Sequence, residues 1–424
     1  MRSRAGAAVR ATVVAGALAL LTAACGTSAT GTSQGGGTTA PPKVITVGTL
    51  YSGSGSFATS SLPEYAGLQF WVRHENAKGG VYVKAFRKRI PVKLVSYNDQ
   101  SSSTTATTLY SQLVTQDHVD LLVSDFGSVL TAAAVTIAQE HHRVLFDQSG
   151  TGTAFFTPNN PYIVLCDLPT SAIWPKSLVG FLHAEHITRV AMVYGSNEFD
   201  ASQANTVRTG LARYHVTPVY DHSVPTATSD YTTIVHSMAA AHPQAVLELG
   251  YPPNDIAFLQ AVAASGAHFP MTFTAFPGQL HHLIEQNVGQ KGMAYTFSYG
   301  NPPQLAHNNV TIGLGTTAFE TAFAPSAPSS VNFLDVAGYN TGVAIQAALG
   351  NASSFTQLSI RSGLAKASTA GMTTIEGNFR LDSEGAQVGE LLPVSQMVPS
   401  GSTTKIEMVY PPSSATAKAV YPAP

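Results

Sequence analysis

Charged side chains are scarce in this sequence. Lys, Arg, Asp and Glu make up only 11% of the 424 residues, and the formal net charge is −2. Proteins that bind nucleic acid neutralise its phosphates with clustered basic side chains, whereas beyond the first ten residues the basic side chains here are scattered, apart from five in the short stretch 84–93. The sequence therefore predicts no nucleic-acid partner. An acidic habitat, which is hostile to carboxylates, is one explanation that this composition leaves open.

No apolar run at the N-terminus is long enough to span a membrane. Residues 11–21 form an apolar stretch well short of the roughly 20 residues that a spanning helix needs, and typical of a signal-peptide core. Arg2, Arg4 and Arg10 precede it, and small residues lead to Cys25. This ending resembles the lipobox of bacterial lipoproteins. We expect the chain to be cleaved before Cys25, Cys25 to be lipidated, and the mature protein to function outside the cytoplasmic membrane. An ordinary secretory signal peptide is the alternative.

The segment after Cys25 has too few large apolar residues to form a core. Residues 26–42 consist almost entirely of Gly, Ser, Thr, Ala and Pro, a composition typical of flexible linkers. We therefore assign residues 1–24 to a signal peptide and residues 25–42 to the lipidated cysteine and a tether. The remainder would be a globular body anchored to the membrane through the lipid.

Cysteine is nearly absent. The only two are Cys25 and Cys166, so lipidation of Cys25 would leave no partner for an internal disulfide. Cys166 ends the apolar run 162–166, which predicts a buried and unreactive thiol.

Motifs of metal and covalent chemistry are missing as well. No Gly-x-Ser-x-Gly elbow occurs, and the Gly-Ser-Gly at 53–55 lacks the Gly-Lys that completes a phosphate loop. Adjacent histidines at 141–142 and 281–282 point in different directions on a helix or strand, so neither pair is a good chelate. We expect no metal, no cofactor and no catalytic residue.

A regular alternation of strands and helices fills the rest of the chain. The first series predicts strands at 44–50, 91–97, 119–123, 143–146 and 162–166, with helices at 64–75, 105–116 and 131–141. The second predicts helices at 174–185, 199–214, 231–241 and 256–265, with strands at 189–194, 217–220, 245–249 and 271–274. Apolar strands between amphipathic helices are typical of parallel sheets covered on both faces. We predict an α/β fold of two doubly wound lobes joined by a hinge. Residues 43–165 begin lobe 1, residues 166–292 begin lobe 2, and residues 293–424 return to complete both.

Four short motifs carry a resemblance to a known family. They are Asn-Ala-Lys-Gly-Gly-Val at 76–81, Tyr-Asn-Asp at 97–99, Phe-Gly-Ser at 126–128 and Gly-Asn-Phe-Arg-Leu-Asp-Ser-Glu-Gly at 377–385. In this order the chain resembles the type I periplasmic binding proteins, specifically the branched-chain amino-acid-binding family. The resemblance implies a monomeric Venus-flytrap protein. It would capture a small solute and deliver it to the permease and ATPase subunits of an ABC transporter.

Ligand-binding residues in lobe 1 are expected where two strands end. Ligands of open α/β sheets bind beyond the carboxyl ends of the strands, which directs attention to Phe126, Gly127 and Ser128 and then to Ser149, Gly150 and Thr151. We expect Ser128 to cap the helix that begins near Val129, whose free N–H groups suit a carboxylate. The resemblance assigns Ser128, Ser149 and Thr151 to the carboxylate and amine of an amino acid; ordinary capping and turn chemistry is the alternative.

Lobe 2 is expected to supply aromatic side chains to the cleft. Phe199 and Tyr251 stand at positions where the family has aromatics, and Trp174 and Phe276 follow strands of the same series. Aromatic rings on lobes that close over a ligand bury its surface. The alternative for these side chains is packing within the core or at the edge of a lobe.

Two departures from the family make the cleft more apolar. The family carries a carboxylate for the ligand ammonium where this chain reads Ala-Phe-Pro-Gly at 275–278, and Ile173 and Trp174 replace an Asp and a Gln-Gly. Asp147 or Glu248 could substitute for the acid, but neither matches by position. We therefore expect an apolar or aromatic carboxylate, an amide or an amino-acid-like solute.

Three functions remain open at this point. The first is the extracytoplasmic substrate-binding lipoprotein of an ABC importer. The second is a ligand-sensing module of the same fold that serves a signalling partner. An extracellular amidase is the third, and it is disfavoured because no nucleophile and base stand together in the sequence.

Overall fold

The computed structural model describes residues 40–326 and 330–424. The predicted signal peptide, Cys25 and most of the tether lie outside the described residues. Among the helices within these ranges, none has the length and apolar character needed to cross a bilayer.

Lobe 1 is a five-stranded parallel sheet with helices on both faces. Its first part contains, in chain order, β1 (Ile45–Tyr51), α1 (Ala58–Ala77), the small hairpin of β2 (Val81–Val83) and β3 (Lys88–Ile90), β4 (Val92–Asn98), α2 (Ser103–Thr115), β5 (Leu121–Val123), α3 (Gly127–Glu140), β6 (Leu145–Asp147) and β7 (Ile163–Leu165). The strand order is β4-β1-β5-β6-β7. Buried strands β5, β6 and β7 are apolar except for the terminal aspartate of β6, as strands covered on both faces must be.

Lobe 2 repeats the arrangement. It contains α4 (Pro175–Ala184), β8 (Val190–Gly195), α5 (Glu198–Ala212), β9 (Tyr220–Val224), α6 (Thr232–Ala240), β10 (Ala245–Leu249), α7 (Pro252–Ser265), β11 (Thr272–Thr274), α8 (His281–Met293) and β12 (Phe297–Tyr299). Its parallel strands have the order β9-β8-β10-β11-β12, which matches lobe 1 position by position. The predicted α/β fold with two doubly wound lobes is therefore confirmed.

The last third of the chain returns to both lobes. Lobe 1 gains α9 (Thr316–Phe323), α10 (Phe333–Asn351), α11 (Gln357–Thr369) and a minimal hairpin of β13 (Thr373–Thr374) and β14 (Gly377–Asn378). Lobe 2 gains β15 (Val394–Ser400), antiparallel to β12, and β16 (Thr403–Tyr410), antiparallel to β15. The chain thus passes between the lobes three times, and backbone hydrogen bonds join the passages: Thr170 donates to Gln387, and Gly300 donates to Pro393.

Two local predictions were wrong. The strand predicted at 217–220 is β9, which begins three residues later. It is an edge strand, and polar residues such as Asp221 and Ser223 obscure the apolar pattern from which strands are predicted. Ser128 does not cap a helix beginning near Val129. Helix α3 begins at Gly127 and its N-cap is Phe126, so Ser128 already lies inside the first turn.

The buried thiol was predicted correctly. Cys166 is free and fully buried in the core of lobe 1, and burial raises the pKa of this thiol well above its usual value. A thiol held neutral in this way is a poor nucleophile.

Candidate functional site

The carboxyl ends of both sheets face one small cavity between the lobes. Ten residues line it: Phe126, Gly127, Ser149, Thr151, Asp167, Trp174, Phe199, Tyr251, Phe276 and Phe333. Its volume is about 10 Å³, which is room for roughly one water molecule. Any larger solute must therefore part the two lobes, as a hinged pair of lobes allows.

Eight of the ten ligand-binding residues predicted from the sequence line this cavity, and the other two support its wall. Ser128 uses its Oγ to accept a hydrogen bond from the Gly152 N–H at 3.0 Å. Gly150 donates its N–H to Asp147 Oδ1 at 2.8 Å and packs against Thr131. The loop after β6 is thus fixed against the start of α3.

The first turn of α3 forms the lobe 1 wall. Gly127 has a φ of +74°, a left-handed conformation that favours glycine. An added Cβ there would stand 3.0 Å from the Tyr251 ring. The Gly127 N–H donates to Ser149 Oγ at 3.0 Å, so these two predicted residues contact each other directly.

Tyr251 closes the cavity from lobe 2. The Ser128 N–H donates to its hydroxyl oxygen at 3.1 Å, across the interface between the lobes. Both residues are buried, so this bond is shielded from water. Tyr251 immediately precedes α7, and the carboxyl end of β10 therefore positions it.

Aromatic rings from the two lobes form a continuous wall. Successive ring centroids lie 5.8 Å apart for Phe126–Tyr251, 5.1 Å for Tyr251–Phe199, 5.1 Å for Phe199–Trp174, 6.5 Å for Trp174–Phe276 and 6.1 Å for Phe276–Phe333. These separations are within the range of favourable aromatic contacts. The Trp174 indole N–H donates to the Pro169 carbonyl at 2.7 Å, so it is not free for a ligand.

One acidic side chain reaches the cavity. Asp167 lies two residues beyond the end of β7 and is 1% exposed, and no N–H or hydroxyl group of the protein donates to its Oδ1. Burial raises the pKa of Asp167 to about 7. The carboxyl group of Glu376, from the β13–β14 hairpin, lies close enough to share a proton with it; burial, and then the charge of Asp167, raise the pKa of Glu376 well above its usual value.

The sequence of the whole body matches one protein family. The profile described as periplasmic binding protein covers residues 44–401. The chain belongs to the periplasmic binding protein family. Members of this family bind small solutes outside the cytoplasmic membrane.

Solved structures share the fold at low sequence identity. One is the substrate-binding protein of a branched-chain amino acid transporter from Streptococcus pneumoniae in complex with isoleucine. It is 18% identical in sequence, the match covers 87% of this chain and 100% of that chain, and the TM-score is 0.71. A leucine-binding protein from Thermotoga maritima has 15% identity, 87% and 99% coverage and a TM-score of 0.74. An ABC-transporter solute-binding protein from R. palustris in complex with benzoate has 14% identity, 86% and 95% coverage and a TM-score of 0.71.

The two acids considered as substitutes in this binding protein do not line the cavity. Asp147 is buried behind it, where Ser124, Gly150 and Thr131 bond its Oδ1. Glu248 lies inside lobe 2, where burial and then the charge of Asp255 raise its pKa. The acid that reaches the cavity is Asp167, which the sequence analysis did not single out.

Phe333 was missed too. It begins α10, and only the long return of the chain brings it to the cavity. A signal for Asp167 does exist, since it follows a buried strand whose carboxyl end faces the cleft. For Phe333 the sequence contains no comparable signal.

The histidine pairs have ordinary neighbours, and the ring centroid of His142 lies 5.2 Å from that of Tyr162. His281 Nε2 bonds Thr404 Oγ1 at 2.8 Å, and His282 Nε2 bonds Gln286 at 2.9 Å. Within residues 40–326 and 330–424, no group of three or more His, Cys, Asp or Glu side chains could hold a metal ion.

Proposed function

We propose that this protein is the substrate-binding component of an ABC importer. It captures a small solute between its lobes and delivers it to the permease without chemical change. The lipid on Cys25 would anchor a monomer to the outer face of the cytoplasmic membrane. The observation that carries this proposal is the interlobe cavity, which lies at the carboxyl ends of both sheets and is lined by aromatic rings from both lobes.

Relatives of the same fold support a small apolar solute. They bind isoleucine or benzoate, which are small molecules that combine an apolar body with a carboxylate. Six aromatic side chains and few polar atoms in this cavity suit an apolar body of that size. Amino acids and aromatic acids therefore head the panel of test solutes.

A thermal-shift screen of residues 26–424 tests the proposal. A solute that binds only the folded state raises the melting temperature by mass action. The panel consists of the common amino acids, benzoate, 4-hydroxybenzoate, short-chain carboxylates, and their amides and amines. At least one solute is expected to raise the melting temperature by several degrees at millimolar concentration, and mass spectrometry should recover it unchanged.

Two threonine variants assign the binding to the cavity. Thr151→Val keeps the volume of a cavity residue but removes its hydroxyl, so the ligand-induced shift should shrink. Thr341→Val is the control, because Thr341 is equally buried in α10 and bonds only its own helix. If no solute shifts a well-folded sample, or if Thr341→Val loses the shift as much as Thr151→Val does, the proposal is wrong.

A further inference from the structure

We propose that the ligand of this cavity carries an ammonium group, and that Asp167 is the counter-charge that selects it. The inference rests on the proposed function and names its solute class. That class is a small organic ammonium compound with an apolar body, either a free amine or the ammonium of an amino acid.

Asp167 is buried where a binding group would be. It lines the cavity, it is 1% exposed, and apart from the proton that it shares with Glu376 no donor of the protein reaches its Oδ1. A buried carboxylate oxygen with so few donors is costly. A ligand N–H⁺ in the cavity would satisfy that oxygen with a charge-assisted hydrogen bond.

The surroundings of Asp167 are acidic throughout. The charged groups that act on it are Glu376, which shares its proton, and Asp147. Glu64 also interacts with both Asp147 and Asp167. With one shared proton, the Asp167–Glu376 pair keeps one negative charge, which is available to a cation.

Basic side chains are absent from the lining and from the buried interior around it. Every charged side chain that is buried in the described ranges is an aspartate or a glutamate. The Gly127 N–H, which could hold an anion, already donates to Ser149 within lobe 1. A ligand with only a carboxylate would add a second negative charge with no base to offset it.

The aromatic wall supports the same choice. Rings of Phe126, Trp174, Phe199, Tyr251 and Phe276 line the cavity, and their faces attract cations. Thr151 supplies the other unpartnered polar atom of the lining, its Oγ1. That hydroxyl can donate to the carboxylate of an amino acid, so the cavity offers one group for each charge of a zwitterion.

The test compares ligands that share a skeleton and differ in charge. Isothermal titration at pH 8 would use leucine, 3-methylbutylamine, which lacks the carboxylate, and 4-methylpentanoate, which lacks the ammonium. Phenylalanine, 2-phenylethylamine and 3-phenylpropanoate repeat the comparison on an aromatic skeleton. On at least one skeleton the compounds with an ammonium should bind at least tenfold more tightly than the deaminated acid.

Two variants then test Asp167 itself. Asp167→Asn should weaken binding of the ammonium compounds at least tenfold and improve binding of the matched deaminated acid, a reversal that a merely structural role would not produce. Glu248→Gln is the control, because Glu248 is equally buried inside lobe 2 but does not line the cavity, so its affinity for ammonium compounds should stay within about threefold of the wild type.

Three results would overturn the inference. They are a deaminated acid that binds the wild type as tightly as its ammonium counterpart, an Asp167→Asn variant that binds ammonium compounds like the wild type, and a folded wild type that binds none of the four ammonium compounds. The proposed function survives these results if any other solute binds in the cavity, and it fails if none does.

Discussion

At the scale of single residues, Tyr251 makes the most informative contact between the lobes. Its hydroxyl oxygen accepts the Ser128 N–H from the opposite lobe, and the Gly127 backbone packs against its ring. A buried backbone N–H without a partner costs free energy. The tyrosine hydroxyl therefore contributes both to the stability of the folded protein and to holding the two lobes closed.

Replacing Tyr251 by phenylalanine removes only that hydroxyl. We expect the free energy of unfolding to fall by about 1–2 kcal/mol, because the Ser128 N–H loses its acceptor in a buried place. Urea unfolding at pH 7 measures the change.

Tyr299 provides a matched control. It is fully buried in the same aromatic cluster, but its hydroxyl has no hydrogen-bond partner. Tyr299→Phe should leave the stability unchanged or raise it slightly, since it removes an unsatisfied polar group. Equal losses for the two variants would mean that the Ser128–Tyr251 bond contributes nothing of its own.

Asp167 shows where residue-level prediction from the sequence stops. The position could be predicted to lie at the mouth of the cleft, because a buried strand ends there. Its role depends on Glu376 and Phe333, which lie 209 and 166 residues later in the chain. Local patterns cannot show that these side chains meet, so the sequence alone does not single out Asp167 as the acid of the cavity.

At the scale of elements, helices α1 and α10 pack closely against each other. Gly338 of α10 lies so near α1 that an added Cβ would stand 1.8 Å from the carbonyl oxygen of Glu64. Gly350, near the end of the same helix, has no atom within 4 Å of such a Cβ. One helix thus contains a glycine required by packing and another that packing does not require.

We expect Gly338→Ala to lower the free energy of unfolding by about 3 kcal/mol, because the two helices must move apart to admit the methyl group. Gly350→Ala should be neutral or stabilising by up to about 1 kcal/mol, since alanine favours helix over glycine. Chemical unfolding of both variants measures the difference. A Gly338→Ala protein as stable as Gly350→Ala would show that the helix contact is loose.

Elements with a strong apolar pattern were the ones predicted correctly. Strands β5, β6, β7, β8 and β10 are buried on both faces and are read easily from continuous apolar residues. Strand β9 was misplaced because it is an edge strand with a polar sequence. The antiparallel β15 and β16 were not predicted at all, because their pairing depends on the exposed edge of β12 and not on their own sequence.

At the scale of the whole molecule, the repeated strand order explains why a cleft exists. Both lobes have the same order of parallel strands, and such sheets bind ligands beyond the carboxyl ends of their strands. Two facing lobes therefore bring two sets of strand ends to one cavity. The alternation of elements was enough to predict this architecture, whereas the final third of the chain was only predicted to return to both lobes.

Buried carboxyl groups are the other property of the whole molecule. In lobe 1, the Ser52 hydroxyl lies 2.8 Å from Asp99 Oδ1 and 3.0 Å from Asp125 Oδ2. A hydroxyl has one hydrogen to donate, so one of the two acids must carry a proton. Burial, and then the charge of Asp99, raise the pKa of Asp125 to about 8.

The same shift occurs in both lobes. Burial raises the pKa of Asp147 to about 6 and those of Asp167, Asp255 and Asp335 to about 7. Three partly buried histidines, His74, His281 and His307, have lowered pKa values and act in the opposite sense. The acids are more numerous and more deeply buried, so their effect is expected to dominate.

Stability should therefore fall as the pH rises from about 4 to 8. The folded state holds protons that the unfolded state releases near pH 4, so the stabilisation is complete below that pH and is lost as the pH passes the folded pKa values of about 6 to 8. Each proton that the folded state holds and the unfolded state has released lowers the free energy of unfolding by about 1.4 kcal/mol per pH unit. We therefore expect this free energy to fall by at least about 3 kcal/mol between pH 5 and pH 8. Urea unfolding across this range measures it.

Asp125→Asn is the control for this mechanism. The asparagine amide can donate to Ser52, and its oxygen can accept from Ser61 and the Phe126 N–H, so no proton needs to be shared with Asp99. The variant should lose less stability than the wild type between pH 5 and pH 8. Stability that instead rises over this range would mean that the histidines outweigh the carboxyl groups. A protein whose few charges include many carboxyl groups buried in their neutral form is suited to acid, which agrees with the habitat that its composition leaves open.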